Sequence, residues 1–126
     1  MNKRQAERVY SNEEAGARLA ADIPRWTVSD GVLCRRFDTG GWRASMMIAN
    51  AVAHLAELAF HHPELRVNYP HVEVRLWTHT AGGITEKDFA LATKIEEMVC
   101  WDPPAASDGA LEGLPDEPRF HYLVES

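Results

Sequence analysis

The feature that most constrains the fold of this sequence is a change of hydrophobic period part-way along it. Ile48, Val52, Leu55 and Ala59 recur at three- and four-residue intervals, the stripe of an amphipathic helix running from Trp42 to Phe60. Pro63 closes that pattern. From Val67 to His79 the apolar residues instead alternate, with Val72, Val74 and Leu76 on one side and His71, Glu73, Arg75, Trp77 and His79 on the other. This is the period of a half-buried strand. A helix with one apolar stripe and a strand with one apolar face each need a partner, and the economical solution is to lay the helix on the sheet.

The flanking sequence adds compatible pieces. Ser11 and Glu14 form a capping box that opens a helix over Asn12 to Ala21, which Pro24 stops. Trp26, Val28, Leu33, Cys34 and Phe37 flank Asp30-Gly31, the turn chemistry of a β-hairpin. Ala81-Gly82-Gly83 turns the chain after the long strand. Thr85 and Asp88 then form a second capping box, opening a helix with Phe89, Ala92, Ile95 and Val99 on one face. The order helix, strand, strand, helix, strand, helix predicts an α+β two-layer sandwich, an antiparallel sheet with three helices packed on one face. Residues 1–100 form the domain. Residues 101–126, with four prolines and two glycines, read as an extension lacking regular structure, although Phe120, Tyr122 and Val124 alternate well enough to add an edge strand or dock on a neighbour. Trp26, Trp42 and Trp101 read as core or interface anchors.

Composition excludes several classes of function. With 126 residues there is room for one core. Thirteen Lys and Arg against nineteen Asp and Glu give a charge of −6, so no overall field draws in a nucleic-acid backbone. The most apolar stretch, Met46 to Phe60, is interrupted by Asn50, His54 and Glu57 and is too short to cross a bilayer. The polar start carries no export signal, and two distant cysteines, Cys34 and Cys100, suit reduced thiols, so the expected location is cytoplasmic. Neither glycine-rich phosphate loop occurs, and no nucleotide cofactor is expected.

Six histidines are many for this length, and His61, His62 and His79 fall at element ends rather than within apolar stripes. Imidazoles facing one pocket can act as paired acid and base near neutral pH. The plainer reading is that His61 and His62 complete a helix C-terminus, where an imidazolium is favoured by about 0.3 to 1 kcal/mol. A three-histidine zinc site is disfavoured, because adjacent histidines diverge on a helix and no His-Glu-x-x-His pair is present. Glu57 stands four residues before His61 and would pair with it, either to raise its basicity or as an ordinary surface ion pair. Asp88 either orients a histidine or serves only its capping box. Tyr69 and Trp77 are aromatic walls or plain packing, and His54, His71 and His121 read as solvated or structural.

Taken together, Glu57-x3-His61-His62-Pro63-x5-Tyr69-x9-His79-x8-Asp88 resembles the signature of the pterin-4a-carbinolamine dehydratases, also called 4a-hydroxytetrahydrobiopterin dehydratases. The surrounding Val52-Ala53-x-x-Ala56-Glu57, Thr78-His79-x-Ala81-Gly82-Gly83-x-Thr85 and Leu91-Ala92 agree, and the resemblance covers residues 11–100. Phe60 replaces a usual Asn or Asp, Leu65 a common Trp, Pro70 a frequent Asn and Thr80 a usual acid.

The resemblance implies a hydro-lyase of tetrahydrobiopterin recycling. It would dehydrate the 4a-hydroxytetrahydropterin left by an aromatic amino acid hydroxylase to the quinonoid dihydropterin, with no metal and no cofactor. His61 and His79 would be the acid–base pair and His62 would orient the pterin, with Glu57, Pro63, Tyr69, Thr78 and Asp88 binding substrate or supporting the site. It also implies a homodimer or homotetramer. The alternative is a non-catalytic dimerisation or assembly module on the same fold.

Overall fold

The computed structural model describes residues 7–124. The elements are α1 (Asn12–Asp22), β1 (Thr27–Ser29), β2 (Val32–Asp38), α2 (Trp42–Ala59), β3 (Glu64–Val67), β4 (His71–Leu76), α3 (Glu86–Val99), the short α4 (Pro103–Ala106) and a 3-10 turn at Pro118–Phe120. Four antiparallel strands lie in the order β1-β2-β4-β3. This is the expected α+β architecture.

Alternation decides which face of the sheet is covered. Leu33 and Phe37 of β2 lie opposite Leu76 and Val72 of β4, and all four are fully buried. They join Ala15 and Leu19 of α1, Ile48 and Val52 of α2, and Phe89, Ala92 and Ile95 of α3 in one core. Burying a side chain such as Leu76 contributes about 1.5 to 3 kcal/mol. The opposite face is laced with charge, for example Arg75 to Glu64 at 2.7 Å and Arg66 to Glu73 at 3.5 Å across β3 and β4. A one-residue slip would bury these charges, so register is strongly specified.

One charged side chain belongs to the inward row. Arg35 lies opposite Val74 and is 5% exposed. Glu96 of α3 meets it with two bonds, 2.8 Å to Nε and 3.1 Å to Nη2, and also accepts from Trp26 Nε1 at 2.9 Å. Burial pushes the Glu96 carboxyl up, but its bond and attraction to Arg35 outweigh that and leave it below the usual carboxylate range.

Two expectations need correction. The alternation read as one strand over residues 67–79 is two strands, β3 and β4, with a turn at Asn68–Pro70 between them; Asn68 N–H donates to His71 O at 2.9 Å. His79 lies not in a strand but in the turn after β4, which Thr78 and Gly83 close by mutual pairing. Trp26 is the core residue of the three tryptophans read as core or interface anchors, and Trp42 and Trp101, 51% and 57% exposed in the single chain, lie outside that core.

Residues 101–124 are mostly irregular, yet they return to the sheet. Leu123 bridges Thr39, Gly40 N–H donates to Tyr122 O at 3.2 Å and Val124 N–H to Asp38 O at 2.9 Å, so the tail extends the pairing beyond the end of β2. Among the described residues, no helix is long and apolar enough to cross a membrane.

Candidate active site

The site is built where α2 ends. Phe60 adopts φ 50° and ψ 45°, the left-handed conformation that terminates a helix. Its N–H donates to Glu57 O and that of His61 to Ala56 O, both at 3.1 Å, satisfying carbonyls the last turn would leave open. Pro63 then commits the chain to β3. Because the backbone reverses at Phe60, His61 turns inward toward α3 while His62 stays on the outer side of α2.

His61 Nε2 lies 2.6 Å from Asp88 Oδ1, and the His61 side chain is 14% exposed. Asp88 is fully buried, yet well supplied with donors. Its Oδ2 accepts from Thr78 Oγ1 at 2.8 Å and from Thr85 N–H at 2.9 Å. Thr78 and Thr85 hydroxyls are 2.7 Å apart, and Thr85 Oγ1 accepts from Lys87 N–H at 3.2 Å. With the Thr78 proton directed at Asp88, Thr85 donates to Thr78 and the chain of hydroxyls has one consistent direction. A carboxylate accepts only, so His61 donates from Nε2 and its Nδ1 is the nitrogen left for a reacting proton. Asp88 therefore performs both duties weighed from the sequence: one oxygen caps α3 and the other meets a histidine.

His62 Nε2 is 2.9 Å from Glu57 Oε1, an exposed pair, and the Phe60 ring meets His62 edge-on with centroids 5.3 Å apart. The expected Glu57 partner was His61. The four-residue rule holds only inside a helix, and α2 stops at Ala59, so the adjacent imidazole takes that place. His79 is exposed and stacks on Trp77 at 4.6 Å with planes 19° apart.

All three imidazoles line one open cleft of about 700 Å³, together with Pro63, Trp77 and Thr80. Phe60 stands at its rim, 79% exposed, rather than filling it. Tyr69 does not join them. Its ring packs beside Gly41 at the opposite end of α2, in a separate cleft with Trp42, Phe120 and Tyr122. Residues not singled out as site residues from the sequence also take part, Thr85 in the hydroxyl chain and Glu64 and Lys87 in the cleft wall; the capping motif Thr85-x-x-Asp88 was the available signal for the first. His54 is exposed, His71 is half-buried and His121 bonds Pro115 O at 2.8 Å, all outside the cleft. Among the described residues, no three His, Cys, Asp or Glu side chains are grouped as metal ligands would be.

Comparison with known proteins adds to this geometry. The family model described as Pterin 4 alpha carbinolamine dehydratase matches residues 8–98, most of the chain. The chain belongs to that family. A protein of Aquifex aeolicus named "Putative pterin-4-alpha-carbinolamine dehydratase" is 40% identical over 88 residues, 70% of this chain and 89% of that protein. A protein of the same name from Thermomicrobium roseum is 44% identical over 82 residues, 65% of this chain and 88% of its own length. Among solved structures, a transcriptional coactivator/pterin dehydratase from Brucella melitensis superposes with a TM-score of 0.64 at 28% identity, covering 72% of this chain and 98% of that one. The antiparallel sheet with its helices is thus the fold of a pterin dehydratase.

Proposed function

We propose that this member of the pterin-4a-carbinolamine dehydratase family is an active hydro-lyase that converts a 4a-hydroxytetrahydropterin to the quinonoid dihydropterin and water. The observation that carries the reading is the convergence of His61, His62 and His79 on one cleft, with His61 held at 2.6 Å by a buried carboxylate. The reaction changes no oxidation state. The C4a–O bond breaks, the departing hydroxyl gains a proton and leaves as water, and N5 gives up its proton as the N5–C4a double bond forms. One acid and one base are sufficient: His61, whose Nε2 is engaged by Asp88 and whose Nδ1 is left to accept a proton, is assigned the N5 proton, and His79 the departing hydroxyl. His62, braced by Glu57 and Phe60, orients the ring, and the Trp77–His79 stack offers a flat surface beside it.

Thr78, Thr85 and Asp88 support His61, and Pro63 shapes the wall. Tyr69 is assigned no direct part, since it lies in another cleft of the single chain. Residues 1–100 are taken as the catalytic unit and residues 101–126 as an appended segment. An aromatic amino acid hydroxylase would supply the carbinolamine, and the chain would work as a homodimer or homotetramer, which light scattering tests. The test of activity is the decay of the carbinolamine, generated by such a hydroxylase and followed by stopped-flow absorbance with and without the protein. The Brucella melitensis relative is named both coactivator and dehydratase, which keeps a non-catalytic module as the second reading. Such a module would leave the decay unchanged.

A further inference from the structure

A second depression adjoins the histidine cleft. It is a groove of about 560 Å³ between the end of α2 and the start of α3, with Leu55, Leu58 and Ala59 on one wall and Ala90, Leu91 and Lys94 on the other. Phe60, His61 and Lys87 line both spaces, so the two are continuous at the imidazole that Asp88 holds. Leu58 and Phe60 are 72% and 79% exposed, an apolar surface that the core of the single chain does not use. Two ammonium groups edge it in a protein whose net charge is −6. Among the described residues each has a surface partner, Glu7 at 3.1 Å for Lys87 and Glu97 at 3.6 Å for Lys94, pairs weak enough for an incoming anion to displace.

Resting on the dehydratase reading, we infer that this groove is the subsite for the C6 substituent of the pterin, and that it selects substrates whose substituent is an aryl group ending in a carboxylate. The connection is covalent. C6 is bonded to N5, so a substituent at C6 begins two bonds from the atom that loses its proton, next to the imidazole that serves it. His61 borders both spaces, so a ring that presents N5 to it sends its tail into the groove. The apolar walls fit an aryl ring, and Lys94 stands toward the far end on α3 for the carboxylate. A short polar substituent would leave Leu58 and Phe60 uncovered.

The test uses the full chain and two stable ligands, 6-methyl-7,8-dihydropterin and 7,8-dihydropteroate, whose C6 substituent is a methylene-linked 4-aminobenzoate. Calorimetry gives their Kd values, and turnover is measured with the 6-methyl carbinolamine. Covering the aryl group, less the cost of ordering it, should make dihydropteroate bind about tenfold more tightly. Leu58→Asp and Lys94→Glu, both at exposed positions, should each erase most of that preference while leaving 6-methyl binding and turnover unchanged. Equal Kd values in the wild type, or a preference that survives both substitutions, overturn the subsite while dehydration of the 6-methyl substrate stands. Failure to dehydrate that substrate overturns the dehydratase reading, and the subsite with it.

Discussion

At the scale of single residues, the account turns on Asp88. A buried carboxylate without partners would be costly, but here it takes three donors, from Thr78, Thr85 and His61. The same atoms fix which nitrogen of His61 carries the proton. Asp88→Asn keeps the shape and removes one acceptor face. With its oxygen kept by Thr78 and Thr85, the amide NH2 would point at His61 Nε2, moving the ring proton to Nδ1. We expect kcat to fall about 100-fold with KM changed far less, a split that steady-state kinetics on a folded variant would reveal. A raised KM with kcat unchanged would mean that Asp88 serves binding instead. Phe60 is the other telling residue. A left-handed backbone at a residue with a bulky side chain costs about 1 to 2 kcal/mol, and most of its ring is in solvent. Phe60→Asn should stabilise the chain by about 1 kcal/mol in denaturant melts, and no gain would show that the ring's contact with His62 offsets the strain.

At the scale of elements, α3 is tied to its neighbours by two carboxylates besides Asp88. Glu96 binds the buried Arg35 of β2, and removing it takes away two charge-assisted hydrogen bonds in a largely buried place. Glu96→Ala should therefore cost about 1.5 to 3 kcal/mol in unfolding free energy, more than an exposed ion pair would. Glu86 binds Arg18 of α1 and Tyr10 just before that helix, whose hydrogen bonds hold its carboxyl at about 2 instead of the ordinary 4.5. A depressed acid stabilises the fold at pH above its unfolded value and loses that contribution as pH falls toward its folded one. Stability should thus decline between about pH 4.5 and 2, modestly because Glu86 is exposed, and Glu86→Gln should flatten that part of a Tm-against-pH profile.

The elements also show what the sequence could reveal. Capping boxes at Ser11 and Thr85 and the Asp30-Gly31 turn are local and were legible, because each is decided by residues within a few positions. Strand β3 was not. Glu64-Leu65-Arg66-Val67 is a four-residue edge strand between prolines, too short for its alternation to stand apart from that of β4. The His61–Asp88 bond spans 27 positions, so no spacing rule could announce it. The Glu57 pairing was misjudged because it depended on the turn at Phe60, a residue whose type does not advertise a left-handed backbone.

At the scale of the whole molecule, one sheet face is buried under three helices and the other is charged, so the chemistry is left to the rim where elements end. There the end of α2, the turn after β4 and the start of α3 bring imidazoles together that lie 18 residues apart in sequence, His61 and His79. The tail from Trp101 returns to β2 near Thr39, away from that rim, and so leaves the cleft open. The central claim is that these imidazoles exchange the protons of a dehydration. It is tested most directly by the stopped-flow decay of a 4a-hydroxytetrahydropterin in the presence of wild type, His61→Ala, His79→Ala and the double variant. We expect wild type to accelerate the decay and each single variant to lose about 100- to 10,000-fold of that turnover, with the double variant close to the uncatalysed rate. A double variant that retains near-normal turnover would contradict the account.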